Sequence, residues 1–331
     1  MGARGETSAA TEPELGSPRT ITYPRTRADR IYRSGARAAG YLTLVILFLI
    51  GLFLLLRSKT AFDVAGLHFF TNTAWSPDQN ADFGIGAVLY WTVILAVIAL
   101  VIAVPFSIMA ALFINEYAPG KLRRPLTSLV DLLAAIPSLI YGLWGVTFMQ
   151  GHIVALPHWL ADNLRFIPIF NCSSENLFAS PFMAGVVLAL MTVPICTSVM
   201  REVFSQTPPG EKEAALALGG TRWGMIRTVV LPFGRGGIIG GSMLGLGRAL
   251  GETIAVSLII SPIFLIHPCV LEHGANSIAA LIALRFANDT GPIGLSALMA
   301  AGVTLFALTL LVNTIASIIV VRSRSGKGVE I

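Results

Sequence analysis

Long runs of apolar residues alternate along this chain with short polar segments. An α-helix rises 1.5 Å per residue, so about 20 apolar residues cross the roughly 30 Å hydrocarbon core of a membrane. Six runs are long enough, and none of them carries the charge expected of a soluble helix. The pattern therefore predicts six transmembrane helices, at residues 38–56, 86–112, 126–149, 182–200, 237–261 and 295–321.

A seventh apolar run, at residues 278–284, lies between Asn276 and Arg285. It is too short to cross a membrane as a helix. We expect a short re-entrant or interfacial helix there, on the outer side.

The composition supports the same interpretation. Hydrophobic residues make up 54% of the 331 residues and charged residues only 12%, with a mean hydropathy of +0.74. A soluble domain has about 25% charged residues. These values exclude a soluble enzyme, a disordered chain and a secreted domain held together by disulfides. The predicted fold class is an all-α membrane protein.

The distribution of basic residues predicts the orientation, because short cytoplasmic loops retain Lys and Arg. Of the 23 basic residues, 18 lie in the two tails and in the loops that six spans place on the same side of the membrane as the tails. Four lie in the loops on the opposite side. Both termini are therefore predicted to be cytoplasmic. The net charge of +5 is spread over several segments, so it does not indicate a nucleic-acid partner.

The predicted organisation follows from these spans. It comprises a mobile cytoplasmic tail at 1–35, a first transmembrane helix at 36–60, a permease-like core of five helices at 84–321 and a cytoplasmic tail at 322–331. A cleaved signal peptide is the alternative for the first run. The length of the leader, its glutamates at Glu6, Glu12 and Glu14, and the lack of an A-x-A site close behind the apolar run favour a retained helix.

Cys172 and Cys269 both lie in predicted outer loops, where a disulfide between them is possible. Cys196 lies in the fourth span and is expected to be a buried thiol. His267 and His273 flank Cys269, but their spacing matches no standard metal site, so no metal is predicted.

The sequence contains no nucleotide-binding loop. Neither Gly-Lys pair, at Gly120 and Gly326, is followed by Ser or Thr as phosphate binding requires. The string GLGRALG at 245–251 has the wrong spacing for a dinucleotide site. Its glycines, with Gly237 and Gly241, form small-xxx-small pairs that favour close helix packing. No catalytic grouping occurs, so we expect neither enzymatic activity nor a bound cofactor.

The loop at 202–236, on the predicted cytoplasmic side, contains signals for two short helices. Thr207 precedes a proline and is predicted to cap the first helix. Gly219 can end that helix in the left-handed conformation. Thr221 can cap a second helix, which Pro232 is expected to end.

One face of this helical pair is apolar and could enter a groove on a partner protein. The alternative is a hairpin that folds back on its own spans. The apolar positions are Ala214, Ala215, Leu218, Met225, Ile226 and Val229.

The same loop resembles the EAA loop of the membrane subunits of bacterial ABC importers. The resemblance depends on fixed spacing at Glu213, Ala214, Ala215, Gly219, Val229, Leu231 and Pro232. Val229 stands where isoleucine is usual. The resemblance implies a type I importer permease fold and a loop that docks into a separate ATP-hydrolysing subunit.

Further segments resemble the PstC family of phosphate importer permeases more than the related PstA family. They are residues 132–145, 247–256, 276–289 and 310–316. This implies an importer with a PstA-like second permease, a PstB-like ATPase dimer that uses ATP and Mg²⁺, and a PstS-like phosphate-binding protein outside the cell, in a bacterial cytoplasmic membrane. A sulfate or molybdate permease, a secondary anion transporter and a membrane scaffold remain alternatives.

Arg248 and Glu252 are the two opposite charges placed deep in a predicted span. A charge at this depth costs about 2.5–3.5 kcal/mol, so it indicates a function. The i, i+4 spacing predicts that they share a helix face and partly neutralise each other. In the functional interpretation Arg248 meets phosphate in the translocation path and Glu252 holds the guanidinium. An ion pair that only orients the helix is the alternative.

Other polar residues in the spans have simpler interpretations. Pro137 is expected to bend the third helix, with the Ser138 hydroxyl bonding a freed carbonyl. Asp131 is predicted to lie near the cytoplasmic interface. Glu116 and Arg123 are expected to anchor the inner membrane surface.

Overall fold

The computed structural model describes residues 26–152, 155–172, 177–289 and 291–323. Its helices are α1 Arg27–Arg57, α2 Lys59–Ala65, α3 Pro77–Asn80, α4 Gly86–Leu112, α5 Gly120–Ala134, α6 Ser138–Trp144, α7 Gln150–His152, α8 Ala155–Asn163, α9 Pro181–Ser205, α10 Pro209–Ala217, α11 Arg222–Met225, α12 Leu231–Phe233, α13 Arg235–Gly251, α14 Ile254–Ile259, α15 Ile278–Arg285 and α16 Pro292–Ser323. Short strands β1 Trp75–Ser76 and β2 Asp82–Phe83 pair antiparallel.

Five tighter or wider helical turns adjoin these helices. The 3₁₀ turns are Gly66–Phe70 and Pro168–Phe170, and the π turns are Phe113–Tyr117, Gly145–Met149 and Ile226–Val230.

Among the described residues, four helices, α1, α4, α9 and α16, are long and apolar enough to cross a membrane. Two bent helix pairs raise the number of spans to six when each pair counts as one. The prediction of an all-α membrane protein with six spans is confirmed in this sense. The predicted span at 86–112 coincides with α4, whose bounds are Gly86–Leu112.

The third predicted span is bent rather than straight. The helices Gly120–Ala134 and Ser138–Met149 meet at an angle of 86°. Pro137 lies at the bend, as expected, since proline removes a backbone donor. The hydroxyl that reaches across the bend is that of Tyr141, which donates to the carbonyl of Leu133 at 3.0 Å, so the role expected of Ser138 is wrong.

The fifth predicted span is also broken. Helix α13 begins at a 66° bend after Phe233 and ends at Gly251, whereas the sequence predicted one helix over 237–261. Glu252 has an extended backbone, and α14 begins two residues later. Apolar residues predominate on both sides of Glu252 and Thr253, which is why hydropathy averaged over the span does not reveal the break.

The division between the two compact units of the chain falls after Ile50, within α1. Helix α1 begins at Arg27, so the last part of the predicted tail at 1–35 is helical. Residues 1–25 lie outside the described residues. The C-terminal tail predicted at 322–331 is likewise outside them, except for its first two residues, which end α16.

The centre of the larger unit is built on α4, α9 and α13. Ser180 caps α9 by accepting a hydrogen bond from the backbone N–H of Met183. Helix α4 packs along α9, and α13 packs on both. The core cluster here includes Trp91, Leu95 and Leu188, all buried.

Glycines on one face of α13 allow it to approach α9 closely. A Cβ at Gly237 would lie 2.5 Å from Cβ of Val203, and one at Gly245 would lie 2.6 Å from Sγ of Cys196. Gly241 would meet the Cys196 carbonyl at 3.2 Å. These distances leave no room for side chains, so the close packing expected of this glycine series is present.

The short helix expected at 278–284 is present as α15. Ser277 caps it by accepting from the N–H of Ala280 at 3.2 Å. Nearby, Asp78 accepts a hydrogen bond from the N–H of Gly294 at 3.0 Å, in the first turn of α16.

Candidate functional site

A cavity of about 740 Å³ opens beside α13, and residues from α9, α13 and α16 line it. Five of the lining positions are apolar or lack a side chain. The other two are Arg248 and Asn313. The lining comprises Ile195, Gly240, Met243, Leu244, Gly247, Arg248 and Asn313.

Arg248 is the fourteenth of the 17 residues of α13. Its Nε atom is buried and makes no hydrogen bond with any described residue. Across the described ranges, no carboxylate lies within 4.0 Å of its guanidinium. The cation therefore faces the cavity without a counter-charge from the described part of the chain.

Glu252 does not pair with Arg248. It lies beyond the end of α13, and its Oε1 accepts a hydrogen bond from the N–H of Ala255 at 3.2 Å. The residue is only 8% exposed. The prediction of two charges on one helix face is wrong because the helix ends between them. The carboxylate instead caps α14, where the first N–H groups have no helical partners.

Two glycines leave the cavity wall of α13 open. A Cβ added at Gly240 or Gly247 would meet nothing within 4 Å. The same holds for Gly251, so the expected close packing of Gly247 and Gly251 is not found against the described residues. Helix α13 thus carries one glycine face against α9 and another along the cavity.

The loop at 202–236 forms the two predicted helical segments. Gly219 has φ of +83°, the left-handed region that favours glycine. The Thr221 hydroxyl accepts from the N–H of Gly224 at 3.1 Å and caps the second segment. The cap predicted at Thr207 is wrong, since α10 begins at Pro209 and the Thr207 hydroxyl is buried without a partner among the described residues.

The second helical segment joins this loop to the long helices. Met225, Ile226 and Val230 are buried in a cluster that includes Met200 and Phe204 of α9. This part of the loop folds back on the chain's own spans, the second of the two predicted arrangements.

The opposite side of the loop is exposed in the part of the chain that the structure describes. Leu218 is 90% exposed and Trp223 is 58% exposed. Such large apolar groups, together at a turn, are typical of a surface that meets another protein. Of the motif residues, Glu213, Ala214, Gly219 and Pro232 are exposed, and Ala215, Val229 and Leu231 are half-buried.

Two ion pairs connect distant segments on the predicted cytoplasmic side: one joins α10 to the turn after α4, and the other joins α5 to α9. Nζ of Lys212 lies 2.6 Å from Oε1 of Glu116, whose side chain is 8% exposed. Glu116 is thus paired within the chain, and its position at the inner membrane surface stays a prediction. Asp131 pairs with Arg201 at 3.7 Å. The partners lie far apart in the chain, so no local pattern could have indicated either pair.

On the predicted outer side, Cys172 and Cys269 form a disulfide, with their Cα atoms 5.2 Å apart. The ring nitrogens of His267 lie 2.8 and 3.0 Å from the carbonyl oxygens of Cys269 and Gly274. The imidazole is thus engaged with the backbone. No group of three or more metal-ligating side chains occurs within the described ranges.

The chain matches known transport proteins over most of its length. Residues 103–325 match the family described as binding-protein-dependent transport system inner membrane component. Phosphate transport system permease protein PstC 2 of Mycobacterium tuberculosis is 40% identical over 297 residues, which cover 88% of this chain and 92% of the relative. PstC of Xylella fastidiosa is 38% identical over 97% of this chain and 99% of the relative.

A bacterial alginate ABC transporter, solved with a periplasmic protein that carries alginate, has a similar fold. The TM-score is 0.59 at 20% identity, over 88% of this chain and 95% of the matched chain. Similarity at this level of identity concerns the fold alone. It supports the expected type I ABC importer permease architecture.

Proposed function

This chain belongs to the family of binding-protein-dependent transport system inner membrane components, and from that premise we propose that it is a membrane-spanning permease subunit of an ATP-driven phosphate importer. The observation that carries the proposal is the 40% identity, over 88% of the chain, to permeases named for phosphate transport.

Arg248 is the proposed anion contact in the translocation path. A guanidinium remains charged in a low dielectric and offers paired donors that suit an oxyanion. Because Arg248 has no counter-charge among the described residues, a passing anion would meet its full charge. Glu252 supports the site indirectly, by capping α14 and so stabilising the helix break next to Arg248.

Coupling to ATP hydrolysis is proposed for the loop at 202–236. Its exposed side, around Leu218 and Trp223, offers apolar surface to an ATPase subunit. Its buried side, around Ile226, transmits movement to α4 and α9. ATP and Mg²⁺ belong to that partner, and this chain binds neither.

The working assembly contains this chain, a second permease, two ATPase subunits and an extracytoplasmic phosphate-binding protein. It lies in the cytoplasmic membrane with both termini of this chain inside the cell. The phosphate-binding protein delivers the anion, and ATP-driven movement of the loops opens the path first to one side and then to the other.

The test is uptake of phosphate into proteoliposomes that hold the assembled complex. We expect uptake with ATP supplied to the ATPase face and none with an ion gradient alone. Uptake driven by the gradient without ATP would contradict this proposal and would indicate a secondary anion transporter instead. Uptake of sulfate in place of phosphate would reassign the substrate.

A further inference from the structure

Asn313 is a polar residue in the apolar helix α16, where its neighbours are Leu311, Val312 and Ile315. Its side chain is exposed on the helix surface. Within the described ranges it makes no side-chain hydrogen bond, whereas Thr314 beside it donates to the carbonyl of Leu310 at 2.7 Å. A free amide at this position is costly, because hydrocarbon supplies no hydrogen-bond partner.

The cavity beside α13 accounts for the position of this amide. Helix α16 packs against α13, and Asn313 is the residue of α16 that lines the cavity. Arg248 lines it from α13, and the apolar side chains of Ile195, Met243 and Leu244 complete the wall. The two polar side chains of the cavity therefore come from different helices and border the same space.

We propose that Asn313 is a second residue that contacts the transported anion. This inference rests on the proposed function and extends it. The amide has two N–H donors for oxyanion oxygens, and it adds no charge. One guanidinium and one neutral donor would hold an anion weakly enough to release it, as conduction requires.

Packing between helices is the other common use of a membrane asparagine. Among the described residues it is not the use of Asn313, because none of them forms a hydrogen bond with its amide. A partner on the second permease is the remaining packing role, and the experiment below separates it from anion contact.

Three substitutions of Asn313 separate the possibilities in the assembled complex, with ATP-driven phosphate uptake as the readout. Asn313→Leu removes the amide at similar size, and we expect a rate at least tenfold lower. Asn313→Asp places a negative charge in the path and should lower the rate further. Asn313→Gln keeps the amide and should retain more activity than either. Thr314→Val, at the next residue of α16, which is exposed but does not line the cavity, is the control and should remain within about twofold of the unmodified complex.

Uptake by Asn313→Leu at the unmodified rate would overturn the inference. So would loss of the second permease from purified Asn313→Leu complexes, because that result would assign the amide to the subunit interface. Arg248→Gln, measured alongside, keeps the two proposals distinct. If Arg248→Gln abolishes uptake while the Asn313 variants transport normally, only the role of Asn313 fails; normal uptake by Arg248→Gln rejects the proposed path itself.

Discussion

Lys212 and Glu116 form an ion pair with 2.6 Å between Nζ and Oε1, although 96 residues separate them in the chain. Lys212 lies on α10 in the loop at 202–236, and Glu116 lies in the turn that follows α4. The pair therefore connects the proposed coupling loop to the end of a transmembrane helix. Its carboxylate is nearly buried, so removal of either partner leaves a poorly solvated charge.

We expect Glu116→Gln and Lys212→Met each to lower ATP-driven uptake several-fold, because movement of the loop would no longer be transmitted to α4 through the ion pair. The charge exchange Glu116→Lys with Lys212→Glu should recover part of the loss. Glu211→Gln is the control, since Glu211 lies exposed on the same helix. Single variants that transport as well as the control would show that the pair carries no coupling.

Gly219 is a second point at which the loop can be tested. Its φ of +83° disfavours a β-branched residue by about 1–2 kcal/mol, although an added Cβ would meet no atom within 4 Å. We expect Gly219→Val to reduce copurification of the ATPase and Gly219→Asn to retain it, since asparagine tolerates this conformation. Equal ATPase recovery and full transport with both variants would count against the coupling role.

A glycine-to-valine substitution is predicted to have different effects on the two glycine faces of α13: it should destabilise the protein on the face against α9 and should obstruct the cavity on the other face. Gly245→Val would force a side chain into Cys196 and Thr192, each within 2.6 Å of the new Cβ. We expect a loss of about 1–3 kcal/mol in stability, seen as a lower midpoint of thermal unfolding.

Gly247→Val meets open space instead, so its stability should stay close to that of the unmodified protein. Its side chain would enter the cavity and should slow phosphate uptake. A stable Gly247→Val protein with unimpaired uptake would mean that this cavity is not the path.

The disulfide between Cys172 and Cys269 spans a sequence separation of 97 residues. A bond that closes so long a loop stabilises a fold by about 2–4 kcal/mol. We expect a reductant to lower the unfolding midpoint of the unmodified protein. The double variant Cys172→Ser with Cys269→Ser should unfold at that lower temperature with or without reductant. An unchanged midpoint in the double variant would contradict a stabilising role.

Features set by local sequence could be predicted well. The left-handed Gly219 and the cap at Thr221 each depend on residues within one turn, and both are present. Hydropathy located the spans because apolar runs of about 20 residues have few other uses.

Features set by contacts between distant segments could not be predicted. The break after Gly251 lies inside a predicted span whose apolar residues continue on both sides of Glu252, and the carboxylate of Glu252 caps the helix that follows the break. The i, i+4 spacing predicted an ion pair between Arg248 and Glu252. The break prevents it, because Glu252 lies outside the helix that carries Arg248. Asn313 joins the cavity only because α16 packs on α13, an arrangement that the sequence of α16 does not encode locally.

The most direct measurement of the central claim is ATP-driven phosphate uptake by complexes that carry Arg248→Gln, with Arg248→Lys as the matched variant. Loss of a charged hydrogen-bond donor in a desolvated site costs about 2 kcal/mol or more, which is about thirtyfold in rate. We predict at least that loss for Arg248→Gln, a smaller loss for Arg248→Lys, and normal recovery of all subunits in both. Unimpaired uptake by an intact Arg248→Gln complex would contradict the account.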